Sequence, residues 1–405
     1  MTTIASIMKS IYASLLLSSS LFAAESPDLQ SLLQQGEFQQ AIKVHTQTPS
    51  NQSTFTKAIC QLTTSIEALQ QGFYKYGFEL NSSTAGMQSL APIPHNPNPE
   101  IVDYQKIRTL IERFHADLHA IEKTLATVGE DEFHLPLDLT KVRFDIDKNG
   151  ERTEMESSIA LFLNIQSNGR RMTQQQIDEM KKIDGTIGFD KSDIIWLKGY
   201  IQVSLGVSDL LLAHDFEQAF NAISSNLFQK PKNALSSIGA DDENYGDIAN
   251  LIAAVHLAKM KVIEPDRLKQ ARQHLLNMVD CSKQMWVSIL AETDNNKEWL
   301  PSPKQKSVTG VEITDAMVKD WHKFLTEYEA ILNGDKLVPH WRFKNKGINL
   351  KRVLEESVET DIVLWVTGHA AEPYLEKGEL TDDGLWRQLN QTFNGNFLGM
   401  SFFIN

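Results

Sequence analysis

Cysteine is almost missing: Cys60 and Cys281 are the only two in 405 residues, which excludes a cysteine-built zinc site and a disulfide-dense scaffold. A single bridge and two separately buried thiols are both open to the sequence. Long hydrophobic runs are missing too. After residue 24 nothing approaches the roughly 18 uninterrupted apolar residues that a spanning helix needs, so no integral membrane segment is expected once the N-terminus is processed. Positive charge is scarce, with 39 Lys and Arg against 52 Asp and Glu and a formal net charge of −13. A surface of that sign repels phosphate backbones, which argues against nucleic acid as a partner and suits cations or basic partners. Also absent are Gly-x-Ser-x-Gly, a glycine-rich phosphate loop, Gly-x-Gly-x-x-Gly and His-Glu-x-x-His. No catalytic residue is therefore assigned, and an enzyme is the less favoured class.

Residues 1–24 carry Lys9, an apolar run from Ile11 to Leu17, and small residues up to Ala23 and Ala24, with no acid before Glu25. This is the grammar of a secretory signal peptide. Its removal takes the formal charge from −13 to −14, since Lys9 is its only charged side chain. The remaining chain, 25–405, is expected in the periplasm or outside the cell.

Apolar spacing in the remainder is helical. Ile107, Leu110, Ile111, Phe114, Leu118, Ile121 and Leu125 share one face of a helix from about Ile101 to Val128. Helices are also expected over 192–222 with a turn, from Ile248 to Lys261, from Asp266 to Leu290 and from Thr314 to Leu332. Asn81 to Pro99, with four prolines, is a loop or linker. The run Asp361 to His369 is short, apolar and bounded by Gly368, so strand and buried helix fit it equally. The fold class is thus mainly α, a multi-helix array of helical hairpins with a short strand element near the C-terminus as an open alternative. Leu32 to Ala41 and Leu211 to Ala219 share a Leu-Leu, Glu-Phe or Phe-Glu, Ala pattern. Both resemble the helix-turn-helix of tetratricopeptide repeats, although no period of about 34 residues continues from either.

One stretch calls for a particular chemistry. In Asp145-Ile146-Asp147-Lys148-Asn149-Gly150-Glu151-Arg152-Thr153-Glu154-Met155-Glu156, oxygen-bearing residues alternate and a glycine stands sixth. The run resembles the calcium loop of EF-hands, in a loop-helix form similar to dockerin-like modules. The resemblance implies Asp145, Asp147 and Asn149 as the first three ligands, the backbone carbonyl of Glu151 as the fourth, Thr153 as the fifth, and Glu156 clamping the ion. Calcium is a hard cation that prefers six to eight oxygens, which short Asp and Asn side chains supply from a tightly wound loop. Three departures bear on its role. Arg152 replaces the apolar residue whose backbone pairs with a partner loop, Ser157 replaces the apolar residue after the clamp, and no second loop of this grammar occurs. An unpaired loop lacks cooperative stiffening, so Ca2+ affinity is expected at roughly 10⁻⁴ to 10⁻³ M. Alternation of Val142, Phe144 and Ile146 predicts an extended approach, and Met155, Ile159, Phe162 and Leu163 predict a helix leaving the loop.

Other constellations have simpler explanations. Glu112, His115, His119 and Glu122 lie near one helix face, as in carboxylate-bridged di-iron bundles, but such bundles need the motif on two helices and it occurs once. His340, His369, Glu372, Trp341 and Trp365 are expected as core or packing residues, and the basic stretch Lys344 to Lys351 as a solvated face. The function expected from the sequence is an exported helical protein with one structural Ca2+ and a binding or interaction role toward a protein or peptide. A periplasmic enzyme of unrecognised class and a metal-free tetratricopeptide-like module are the alternatives.

Overall fold

A computed structural model describes residues 28–79, 93–129, 131–158, 184–232, 249, 252–253, 255–308 and 310–405. The signal segment, most of the 81–99 loop and the helix expected after Met155 lie outside them.

The first two helices form a tight hairpin, α1 (Leu29–Gln35) and α2 (Phe38–His45), turned at Gly36 with φ 70°. Glycine adopts that left-handed conformation at little cost. Next come α3 (Asn51–Lys75), opened by a capping box on Ser50, and α4 (Tyr104–Leu125), capped by Asp103. They run antiparallel, with Ser65 bonded to Asp117 and Thr124 to Gln61. The helices on either side of the 81–99 loop therefore pack on each other, and Gly72 meets the side chain of Leu110 where a Cβ would come within 2.5 Å of it.

The array continues through α5 (Lys191–Leu212), α6 (Glu217–Leu227), α7 (Pro265–Ala291) and α8 (Asp315–Asn333). Contacts His115–Ser208 and Glu122–Gln202 set α5 antiparallel to α4, and Ser192–Ser288 and Gln202–His274 set α7 antiparallel to α5. Trp321 on α8 reaches Ser282 on α7. Each long helix α3, α4, α5, α7 and α8 thus lies against the previous one. Of these α5 is apolar and long enough by composition to cross a membrane, and half of its most apolar window is buried within the protein.

Strands are short and antiparallel. β1 (Leu135–Asp138) pairs with β2 (Thr186–Phe189), register Leu135 to Phe189. β3 (His214–Asp215), β4 (Lys259–Val262) and β7 (Glu359–Asp361) form one three-stranded sheet in that spatial order. β5 (Val338–Pro339), β6 (Gly347–Ile348) and β8 (Leu375–Glu376) form another. The short helices α9 (Leu350–Glu356), α10 (Ile362–Thr367), α11 (Asp383–Thr392) and α12 (Phe397–Ile404) complete the chain. It is a mainly α protein with minor strand elements.

Two expectations change. The helix expected to run to Lys261 gives way to strand β4 at Lys259, because Lys259 to Lys261 pair with β7 and Lys259 meets Glu359 across the sheet. The second hairpin opens: after Leu212 the chain enters β3 rather than a tight turn, since His214 is held by Leu210 O and Thr360 Oγ1 at 2.7 and 2.9 Å. The apolar C-terminus packs inward, with Trp196 and Trp286 donating their indole N–H groups to the carbonyls of Phe403 and Ile404 at 3.0 and 3.2 Å. Cys60 and Cys281 are free thiols, raised to about 12 and about 11 by burial.

Candidate metal centre

Val142, Phe144 and Ile146 are buried on the strand-like approach, as their alternation predicts. The two ends of the loop are stitched together: Arg143 bridges Ser157, Phe144 N–H donates to Glu156 O (2.9 Å) and Ser158 N–H to Val142 O (2.8 Å). Between them the chain reverses through left-handed residues, Lys148 at φ 59° and Gly150 at φ 86°. The sixth-position glycine stands where positive φ is required.

The polar groups inside this turn face inward. Gly150 N–H donates to Asp145 Oδ2 at 3.2 Å, and Asp145 Oδ1 is buried with no hydrogen-bond partner. Asp147 accepts from the N–H (3.1 Å) and the side-chain amide (2.8 Å) of Asn149, whose Oδ1 accepts from Glu151 N–H at 2.6 Å. Glu156 is buried; it accepts from Ile146 N–H (2.9 Å) on one oxygen and from Thr153 N–H (3.0 Å) and Oγ1 (2.9 Å) on the other. Carboxylate oxygens of Asp145, Asp147 and Glu156 lie within 4.8 Å of one another.

The structure thus brings three of the six sequence-derived ligands together as carboxylates. Asn149 and Thr153 are turned onto Asp147 and Glu156, and Glu151 is exposed. Glu156 sits on a 3-10 turn, Glu154–Glu156.

Arg152 leaves the loop altogether. Its guanidinium grips both oxygens of Glu67 on α3 (2.5 and 3.3 Å) and donates to Arg143 O (3.0 Å), while Arg143 donates back to Arg152 O (3.1 Å). It also lies 5.7 Å from the centre of the Phe38 ring and fills the space beside Gly36, where a Cβ would come within 2.1 Å of it. Asp145 is tied to the same helix by Glu67, which accepts its N–H (2.9 Å), and by Gln71, which donates to its carbonyl (2.8 Å). The position that pairs with a second loop in EF-hands here pins the loop to α3 and to the first hairpin. Arg152→Met is expected to lower stability by about 1–2 kcal/mol in urea unfolding, because a half-buried ion pair and a cation–π contact are lost together.

A second acidic cluster lies at the start of α5. Asp190 caps that helix by accepting from Ser192 and Asp193 N–H (2.7 and 3.4 Å), and its neighbours Glu292 and Glu298 bring oxygens within 4.8 Å of its own. Burial raises Glu292 to about 7, and it also raises Asp190, Asp193 and Glu298, with like-charged neighbours adding to it. Glu292 is bonded to Ser192 and Gln305 and Glu298 to Asn296 N–H. These carboxyls suit retained protons.

The Glu112, His115, His119, Glu122 face is divided among separate partners. Glu112 pairs with Arg108, His119 with Glu122, and His115 donates toward Ser208 and takes Arg267 on its other nitrogen. What the sequence did not reveal is the network joining them across helices. Asp209, fully buried on α5, receives Arg267 (2.8 Å) and faces His115 and His274 at 3.4 and 3.7 Å. Polar Ser208 and Asp209 on the otherwise apolar face of α5 were the available signal.

Of the C-terminal residues expected to pack, Trp365 stacks on Tyr374 (5.8 Å between centroids), whereas Trp341 is 76 % exposed. The packing expected for Trp341 is not found. Two cavities lie elsewhere, one of about 690 Å³ lined by residues including Lys319, Lys323, Lys336 and Asp382, and one of about 570 Å³ beside the first hairpin.

No family model matches the sequence, and no curated protein or solved structure matches it.

Proposed function

We propose that this is an exported helical protein whose 145–156 loop binds one Ca2+, and that the ion acts as a structural staple within a binding or interaction protein. The observation that carries the reading is the buried Asp145 Oδ1, which takes no hydrogen bond although it converges with the carboxylates of Asp147 and Glu156. A buried carboxylate oxygen without a donor is costly, and a hard divalent cation relieves that cost while offsetting two of the three crowded charges. Rotation of the Asn149 amide would add a further oxygen, and the Glu151 carbonyl and Thr153 stand at the remaining loop positions. The resemblance to EF-hands supplies the choice of calcium.

With the loop fixed to Glu67, Gln71, Gly36 and Phe38, ion binding stabilises the junction of α3 with the first hairpin. At the tight end of the expected range, about 10⁻⁴ M, calcium at roughly 1–10 mM is about ten to a hundred times Kd and is worth about 1.4–2.7 kcal/mol by mass action. Thermal unfolding of the wild type is expected to rise by a few degrees from chelator to millimolar calcium, and the rise is expected to vanish in Asp145→Asn. That substitution keeps the side-chain shape and removes one charge, so a lost shift reports the ion and not the fold. An unchanged melting temperature in millimolar calcium rules the proposal out.

A further inference from the structure

Helix α10 is an unusual surface element: Ile362, Val363, Leu364 and Val366 are all exposed, the last by 65 %. At 100° per residue these four positions point in several directions, so the helix projects from the body rather than lying against it. The turn 340–343 packs on its end and adds Trp341, the exposed indole noted above. Few solvated proteins leave so many large apolar side chains together without a partner.

The polar groups of this projection are satisfied internally. Val363 O accepts from Thr367 Oγ1 (2.9 Å), Leu364 O from Ala370 N–H (3.1 Å), and Trp365 O from Gly368 N–H (3.1 Å). Val366 O accepts from the Trp341 indole (3.0 Å) and Thr367 O from Arg342 (2.6 Å). At the other end Asp361 accepts the Leu364 N–H (2.9 Å). Every carbonyl from 363 to 367 is therefore bonded within the protein. Bonded carbonyls lose less on leaving water, because hydrocarbon offers no replacement donors.

Charge on one side of it matches, while Asp361 caps its start and the exposed Glu372 follows its end. From Lys336 to Leu354 the chain contains six cations and no acid, in a protein that is otherwise strongly acidic. Lys336 and Arg352 are paired with glutamates. No carboxylate of a described residue forms an ion pair with Arg342, Lys344, Lys346 or Lys351; the first three are exposed, and the turn that carries them is bonded to the end of α10 through Trp341 and Arg342. Arg342 also lies over the Trp341 ring at 5.5 Å. An apolar tip, an indole at its shoulder and a cationic fringe are the combination that seats in the headgroup boundary of an anionic bilayer.

We propose that α10 and the 340–346 turn form an interfacial docking surface for anionic lipid, with Ile362, Leu364 and Val366 entering the acyl boundary, Trp341 at headgroup depth and Arg342, Lys344 and Lys346 on the phosphates. A protein partner would need a cleft to receive a projection exposed on several sides, whereas a fluid surface accommodates it directly. The inference is independent of the calcium site.

The test is co-sedimentation of the full chain with vesicles of phosphatidylcholine alone or doped with phosphatidylglycerol. Binding is expected only to the doped vesicles and is expected to weaken with added salt. Lys344→Glu with Lys346→Glu, and separately Val366→Asp, are each expected to lower the partition coefficient at least about tenfold, given roughly fivefold per basic residue near an anionic surface. Both lie on exposed positions, and unchanged far-UV circular dichroism verifies their fold. Binding that survives both variants, or no binding by the wild type at low salt, overturns the proposal. So does self-association that Val366→Asp abolishes while vesicle binding is absent, which would make the patch a contact between copies of this chain.

Discussion

Arg108→Met is expected to destabilise the protein by about 2–4 kcal/mol in urea unfolding, because it removes a buried guanidinium and leaves the carbonyls it bonds without a donor. The guanidinium is 7 % exposed at the side chain and caps the end of α5, donating to Leu212 O (2.8 Å) and His214 O (3.1 Å). It also pairs with Glu264 and with Glu112 one turn along its own helix. Methionine keeps the aliphatic stem and leaves two carbonyls and a carboxylate uncompensated. Arg108→Lys is expected to recover less than half of the loss, since one ammonium cannot reproduce a planar fork that bonds two carbonyls and two acids. A loss below about 1 kcal/mol would mean that water replaces the guanidinium there.

The second large effect is expected in the pH dependence, and the two sides come from different groups. Glu292 is raised from 4.5 to about 7, chiefly by burial, and Asp190, Asp193 and Glu298 shift the same way. A folded state that holds extra protons is most favoured below the unfolded pKa, so this contribution is lost as pH rises from about 4.5 through about 7. His115 and His274 move below their usual 6.5, again chiefly by burial. Here the unfolded chain takes up protons first, so stability falls as pH drops below about 6.5. Glu292→Gln keeps the bond to Ser192 and removes the charge. It is expected to stabilise by about 1–2 kcal/mol near pH 8 and by almost nothing near pH 5, about half the full conversion of the shift because the group is partly solvated. Urea midpoints for wild type and variant across that range decide it, and equal differences at both ends would show that Glu292 is ionised throughout.

The long helices were legible because each carries its own apolar period: the stripe from Ile107 to Leu125 marks α4 without knowledge of its neighbours. Strands of two to four residues were not, since β3, β4 and β7 exist only through each other. The run at Ile362 illustrates the limit. Composition shows that it is apolar, while only the packing around it shows that it is exposed. The loop was readable in outline, because alternation and Gly150 are local features. Arg152 was read as a defect in a pairing position, and its partners Glu67 and Gly36 are too distant in sequence for spacing to reveal them.

That clamp has a consequence for the order in which the chain acquires structure. The first hairpin ends at His45, but the side chain that fills the notch at Gly36 and covers Phe38 belongs to Arg152. During synthesis from the N-terminus, roughly a hundred further residues must emerge before this support arrives. Until then the leading segment can pack on α3 but lacks the side chain that clamps it there.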